Sequence, residues 1–167
     1  NILDAVAEAV KKYSEDLVND IQIGGVNLLN GTQKFIGENW SVSRYADLTE
    51  NGYKDFSVAH RDSTSETTLA LLASYSNLQF DHGQTYTLSF FAKGTGGIYV
   101  SSSYLAEQST MVENGISSTF GLSAEWTRFN VTFTATADTS MSTMRIAFQT
   151  VPESDVYLCA VKLEEGN

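Results

Sequence analysis

Two residue periodicities meet at Gly24-Gly25, and the change between them limits what this chain can fold into. Upstream, Leu3, Val6, Val10, Tyr13 and Leu17 recur in alternating steps of three and four, the seam of a heptad. Asp4, Glu8, Lys11, Lys12, Glu15 and Asp16 take the other faces, so residues 1–23 read as a helix. The register weakens at Asp20, and the glycine pair ends the helix. The seam spans under three heptads. Two readings stay open: the end of a longer coiled coil that associates with copies of itself, as a trimer, or an amphipathic helix packed on its own β domain. The chain opens on Asn1 rather than Met and reads as a piece of something longer.

From Val26 onward the period is two. Tyr86, Leu88, Phe90 and Ala92 alternate with Thr87, Ser89, Phe91 and Lys93; both sets carry aromatics, so this strand is expected to be covered on both faces. Gly94-Thr95-Gly96-Gly97 is a turn signal, and Ile98 to Leu105 resumes as a strand, which predicts a hairpin. Phe129, Val131, Phe133 and Ala135 face one way and Arg128, Asn130, Thr132 and Thr134 the other. Met144, Ile146 and Phe148 form a further inward set. The closing strand, Val156 to Leu163, slips phase near Cys159-Ala160, which predicts a bulge. Phe56 to Arg61 is another strand, whereas Leu69 to Tyr75 fits strand or helix by pattern. Many short strands with polar turns over residues 26–167 argue a mostly β protein, a β-sandwich behind one helix.

Charge narrows the partners. The formal net charge is −10, which argues against a nucleic-acid backbone and against docking on anionic lipid, both of which need clustered Lys and Arg. Nor is there an apolar run long enough for a membrane helix. The single cysteine, Cys159, rules out an intrachain disulfide and reads as a buried thiol in an apolar strand. Catalytic signatures are missing: there is no H-E-x-x-H, no G-x-S-x-G, and no spacing singles out a pair among the twenty Asp and Glu. Asn30-Gly31-Thr32, Asn39-Trp40-Ser41 and Asn130-Val131-Thr132 match the glycosylation sequon and read as chance matches. The materials for binding sugar are present. Aromatic rings stack on the apolar C–H faces of pyranoses, directional polar groups take the hydroxyls, and the chain has eight Tyr, nine Phe and two Trp.

Val26-Asn27-Leu28-Leu29-Asn30-Gly31-Thr32 opens the β block; Trp126-Thr127-Arg128 through Thr132-Phe133-Thr134-Ala135 and Lys162-Leu163-Glu164-Glu165-Gly166-Asn167 come late in it. Together these segments resemble the carbohydrate-binding-module-like jelly rolls of bacteriophage tail and baseplate proteins. The resemblance covers residues 26–167 and implies a jelly-roll sandwich, with strand rather than helix at Leu69 to Tyr75. It also implies a non-catalytic module of the virion tail or baseplate that binds host cell-wall polysaccharide during adsorption. Other tail or baseplate proteins would be its partners, and a homotrimer its assembly. Two rivals stand beside this: a spacer or docking module with no sugar site, and a binding module appended to a tail lysin.

The resemblance implies two places to look for the site. On the face of one sheet, the candidates are His60, Arg61, Tyr75, Tyr99 and Tyr104, of which Tyr99 and Tyr104 fall on opposite faces of an unbroken strand. On the loops at one edge, they are Trp40, Tyr45, Tyr53 and the polar stretch from Glu107 to Glu125. Trp126 reads as structural. The resemblance also allows a structural Ca²⁺ near the chain ends, with oxygen ligands from Glu153, Asp155, Glu164, Glu165 and Asn30; no loop shows an EF-hand pattern.

Overall fold

A computed structural model describes residues 1–21, 26–105, 111–139 and 144–166, with the helix side chains described for residues 1–12. The helix α1 runs Ile2–Ile21. Asn1 caps it, its side-chain oxygen accepting from the Asp4 amide at 3.0 Å. Ten strands follow: β1 (Trp40–Val42), β2 (Asp47–Tyr53), β3 (Phe56–Ser63), β4 (Ala70–Leu78), β5 (Thr85–Thr95), β6 (Gly97–Leu105), β7 (Met111–Gly121), β8 (Thr127–Thr134), β9 (Met144–Thr150) and β10 (Ser154–Glu165). They form two antiparallel five-stranded sheets, β1-β4-β9-β6-β7 (sheet A) and β2-β3-β10-β5-β8 (sheet B). The expected sandwich is therefore present, and β4 takes residues 70–78 as a strand.

The core forms where the period-two sets of the two sheets meet. Leu88, Phe90 and Ala92 of β5 and Val156 and Leu158 of β10 are sealed from solvent, against Ile98, Val100, Ile146 and Phe148 of sheet A. Phe90 meets Phe148 edge to face with centroids 5.5 Å apart, so the sheets lock through rings as well as by apolar burial. The predicted bulge appears as a register shift between Cys159 and Lys162, with Ala160 at φ 52°. It allows Leu158 and Val161, three residues apart, both to point into the core.

One expectation is corrected. β5 and β6 do not form a hairpin, because β5 lies in sheet B and β6 in sheet A. At Gly94 the chain passes so close to the start of β10 that a Cβ would stand 1.8 Å from the Asp155 carbonyl oxygen, at φ 138°. Only glycine takes both the conformation and the approach, and the chain uses it to change sheets.

Polar side chains hold the ends together. Asn27 accepts from the Leu29 and Leu163 amides at 3.1 and 3.0 Å and donates to the Val161 carbonyl at 3.3 Å. The opening segment is thereby clasped to the last strand. Asn114, fully buried, donates to the Ala137 carbonyl at 3.1 Å and accepts from the Thr136 and Ala137 amides at 2.7 and 3.1 Å. Ser102 fills the irregularity between β6 and β7, donating to the Asn114 carbonyl at 2.6 Å and accepting from the Ile116 amide at 2.7 Å.

Two predictions follow from burial. Asn114→Ala empties a fully buried side-chain position and leaves two amides and a carbonyl of the adjoining part-buried loop without their partner, and should cost about 2 kcal/mol in urea unfolding; a loss under about 0.5 kcal/mol would show that the loop re-pairs without it. Burial pushes the Cys159 thiol up from 9.0 to about 12, against a weaker opposing pull from Lys54. The folded protein should stay unreactive to a thiol reagent at a pH of about 8 and react stoichiometrically once unfolded. The unfolded thiol releases its proton at lower pH than the folded one. Cys159 therefore leaves stability unchanged below pH 9.0 and erodes it as pH rises towards about 12.

Candidate functional site

Two outward sheet faces compete as binding surfaces. On sheet B, the register places Asp47, His60, Tyr157 and Lys93 side by side across β2, β3, β10 and β5. Trp126, just before β8, continues this row. His60 and Tyr157 stack with centroids 4.0 Å apart, and Nε2 of His60 pairs with the Asp155 carboxylate. The Lys93 ammonium lies 5.3 Å from the Tyr157 ring and 5.2 Å from that of Trp126. Tyr53 stacks on Trp126 at 4.7 Å. These rings spend their faces on each other and on a cation. The result is a half-buried polar-aromatic layer, and burial, with the nearby Asp155 and Asp62 carboxylates, raises the Tyr157 hydroxyl's pKa.

Sheet A is built differently. Its outward face carries a row of small residues, one from each strand: Ser41 of β1, Ser74 of β4, Ala147 of β9, Ser101 of β6 and Ser117 of β7. With strands about 4.8 Å apart, this row crosses the sheet over ~19 Å. The row on one side holds Leu71, Gln149, Tyr99 and Thr119. On the other side stand Arg145, Ser103 and Glu113. Along β9, Gln149 and Arg145 are separated by about 13 Å. Leu71, Gln149 and Tyr99 on one side and Arg145 and Glu113 on the other stand taller than the small row and border a shallow trough, with serine hydroxyls in its floor and Ser103 leaving the border low on β6. Tyr99 leans over it, its hydroxyl 2.7 Å from Ser117 Oγ. Among the described residues neither another ring nor a cation covers the Tyr99 ring, so it stands half-exposed beside the floor.

The expected site residues do not come together. Trp40 and Tyr75 lie in the core at 7% and 2% exposure, packed edge to face at 5.1 Å, so neither offers a ring outside; only the Tyr75 hydroxyl reaches the sandwich end, accepting from the Asn30 amide at 3.1 Å. Arg61 faces inward from β3 and straps the two sheets, donating to the Leu71 carbonyl at 2.6 Å and to Ser43 Oγ at 3.1 Å. Tyr104 points inward and packs against the core, on the face opposite Tyr99. Tyr45 is exposed at the link between β1 and β2, between the guanidinium groups of Arg44 and Arg61. His60 and Tyr53 belong to the sheet B layer. Of the eight, Tyr99 alone lines the trough. The polar stretch from Glu107 to Glu125, expected among the edge loops, is mostly a strand: residues 111–121 form β7, paired to β6 in sheet A, and residues 107–110 lie outside the described residues.

Sequence reading missed Ser41, Ser74, Ser101, Ser117, Ala147, Arg145 and Gln149. The signal for three of them was present: with Met144, Ile146 and Phe148 inward, parity puts Arg145, Ala147 and Gln149 outward. A cleft of about 360 Å³ at the sandwich end, lined by Asn30, Asn39, Asn77, Asp81 and Glu165, is a weaker site. Its amides serve each other, Asn77 donating to Asn39 at 2.8 Å.

The proposed calcium ligands do not fit one ion. Asp155 and Glu165 stand at opposite ends of β10, ~33 Å apart along the strand. Asp155 is engaged by His60, and Lys162 Nζ lies 3.6 Å from Glu164. Among the described residues no group of three His, Cys, Asp or Glu converges on a metal position.

No curated protein sequence matches the chain. Solved structures share its fold. The second N-terminal cellulose-binding domain of β-1,4-glucanase C from Cellulomonas fimi is 16% identical, with a TM-score of 0.64 over 87% of this chain and 98% of that one. The CBM22-1 xylan-binding domain from Paenibacillus barcinonensis is 9% identical, with a TM-score of 0.55 over 85% and 96%. The enzymatically active domain of tailspike protein 4 from bacteriophage CBA120 is 14% identical, with a TM-score of 0.57; the match covers 84% of this chain but 21% of that one. At sequence level, the family described as carbohydrate binding domain (CBM_4_9) matches residues 27–155. That match takes in strands β1 to β9 and most of the chain, and the chain belongs to the carbohydrate binding domain family.

Proposed function

We propose that this chain is a non-catalytic module that binds polysaccharide in the trough of sheet A. The observation that carries the reading is the serine-floored row crossing all five strands with the Tyr99 ring open beside it. A ring face takes the apolar side of a sugar; the serine hydroxyls and the Gln149 amide can donate to and accept from its hydroxyls, and Arg145 can donate to them. A trough of ~19 Å suits an extended chain of several sugars better than a single one.

The setting we propose is a phage tail or baseplate, where the module binds host cell-wall polysaccharide during adsorption beside other tail proteins. The opening and closing segments that resemble such proteins support it, and so does the fold shared with part of a phage tailspike chain. In this setting α1 joins copies of the chain, as a trimer. Ile2, Leu3, Val6 and Val10 are 82%, 78%, 54% and 59% exposed, which favours an intermolecular seam over packing on the chain's own sandwich. The seam residues Tyr13 and Leu17 lie outside the described side chains. Three weak sites on one trimer would reinforce each other through effective concentration.

Two measurements test these readings. On an array of cell-wall polysaccharides, the chain should bind saturably. Tyr99→Ala should weaken binding about tenfold and Ser101→Trp, which fills the floor, should abolish it, while Tyr45→Ala leaves it unchanged. Absence of binding to every polysaccharide, with the fold intact by circular dichroism, would favour a spacer or docking role instead. In analytical ultracentrifugation the chain should sediment as a trimer and Val6→Asp with Val10→Asp as a monomer; a monomeric parent would remove the helix from this account.

A further inference from the structure

Arg145 is the unusual member of the trough. It sits on β9, the middle strand of sheet A, half-buried and pointing outward beside Ala147. Other guanidinium groups are engaged: Arg44 with Tyr45, Arg61 with Ser43, Leu71 and Glu66, and Arg128 in the field of Glu164. Among the described residues, the Arg145 guanidinium has no hydrogen bond, ion pair or ring contact. The nearest acidic group in its row is Glu113, two strands away beyond Ser103, or about 10 Å between backbones, and no ion pair joins the two.

A partly desolvated guanidinium presents five donors in a planar fork, and leaving them unserved costs free energy. Neutral sugar hydroxyls can accept from it but cannot compensate its charge. A carboxylate or phosphate does both, through two parallel charge-assisted bonds. The net charge of −10 does not prevent this, because at physiological salt exposed charges are screened beyond about 8 Å and the trough's own charged groups are Arg145 and Glu113 alone among the described residues.

We infer that the polysaccharide taken by the sheet A trough carries an acidic group, carboxylate or phosphate, and that Arg145 holds it. This rests on the sugar-binding reading of the trough and adds the chemistry of its ligand. Calorimetry on the intact chain with matched polymers tests it: polygalacturonate against its methyl ester, and phosphomannan against neutral mannan. At least one acidic polymer should bind about tenfold or more tightly than its neutral twin, weaken as salt rises, and lose that advantage in Arg145→Gln. The two pairs distinguish a carboxylate from a phosphate. Equal binding of acidic and neutral twins, unchanged by Arg145→Gln, would overturn the inference and leave the trough reading standing. Failure of both acidic polymers to bind would overturn it too. Binding that survives Ser101→Trp would instead overturn the trough reading beneath it.

Discussion

Ala160 stands at φ 52° in the middle of β10, where the register against β5 gains one residue. A non-glycine residue in that region costs on the order of 1 kcal/mol, and the return is a strand that keeps its apolar side chains in the core along its whole length. Val156 and Leu158 point inward before the bulge, and Val161 and Leu163 after it. A regular strand would have turned the second pair to the outside. β10 is central in sheet B, paired to both β3 and β5, so its phase sets the faces of its neighbours. The bulge also presents the Val161 carbonyl and the Leu163 amide to Asn27, which ties the start of the domain to its end.

The two outer faces show how one architecture yields different surfaces. Sheet B carries more aromatic residues, yet His60, Tyr157, Trp126 and Tyr53 are paired ring to ring and Lys93 bridges them. Such a layer stabilises and covers the sheet, and little stacking energy remains for a ligand. Among the described residues, the outer face of sheet A carries a single open ring, Tyr99, over a floor of serines. The surface with fewer aromatics is the more available one, because binding depends on faces left unpaired and on hydroxyls already ordered by rigid strands. Arg61 links these two surfaces mechanically, reaching from β3 to the Leu71 backbone of β4.

In the proposed setting the sandwich would supply one recognition site per chain, and the exposed apolar residues of α1 would supply the means to bring sites together. Weak individual sites are consistent with a trough open along its length and floored by small polar groups.

Local pattern located many of the elements, though it left Leu69 to Tyr75 open between strand and helix and read the polar residues of β7 as a loop. Alternation at Leu88 to Ala92 and Met144 to Phe148 located strands and their inward faces, the broken phase at Cys159-Ala160 located the bulge, and the three-four spacing from Leu3 located the helix. These signals are short-range, set by the pleat and the helical turn, so they are written in adjacent residues. What the tertiary structure decided was which strands share a sheet and which rings remain open. Gly94 to Gly97 read locally as a hairpin turn, yet the chain crosses there between sheets, because the close approach to Asp155 comes from a strand sixty residues away. Tyr75, Trp40 and Arg61 had the chemistry of a sugar site and went into the interior. The trough, by contrast, is assembled from five strands whose members are individually plain serines and an alanine. Such a row exists only through register, and register follows from long-range pairing that no local window contains.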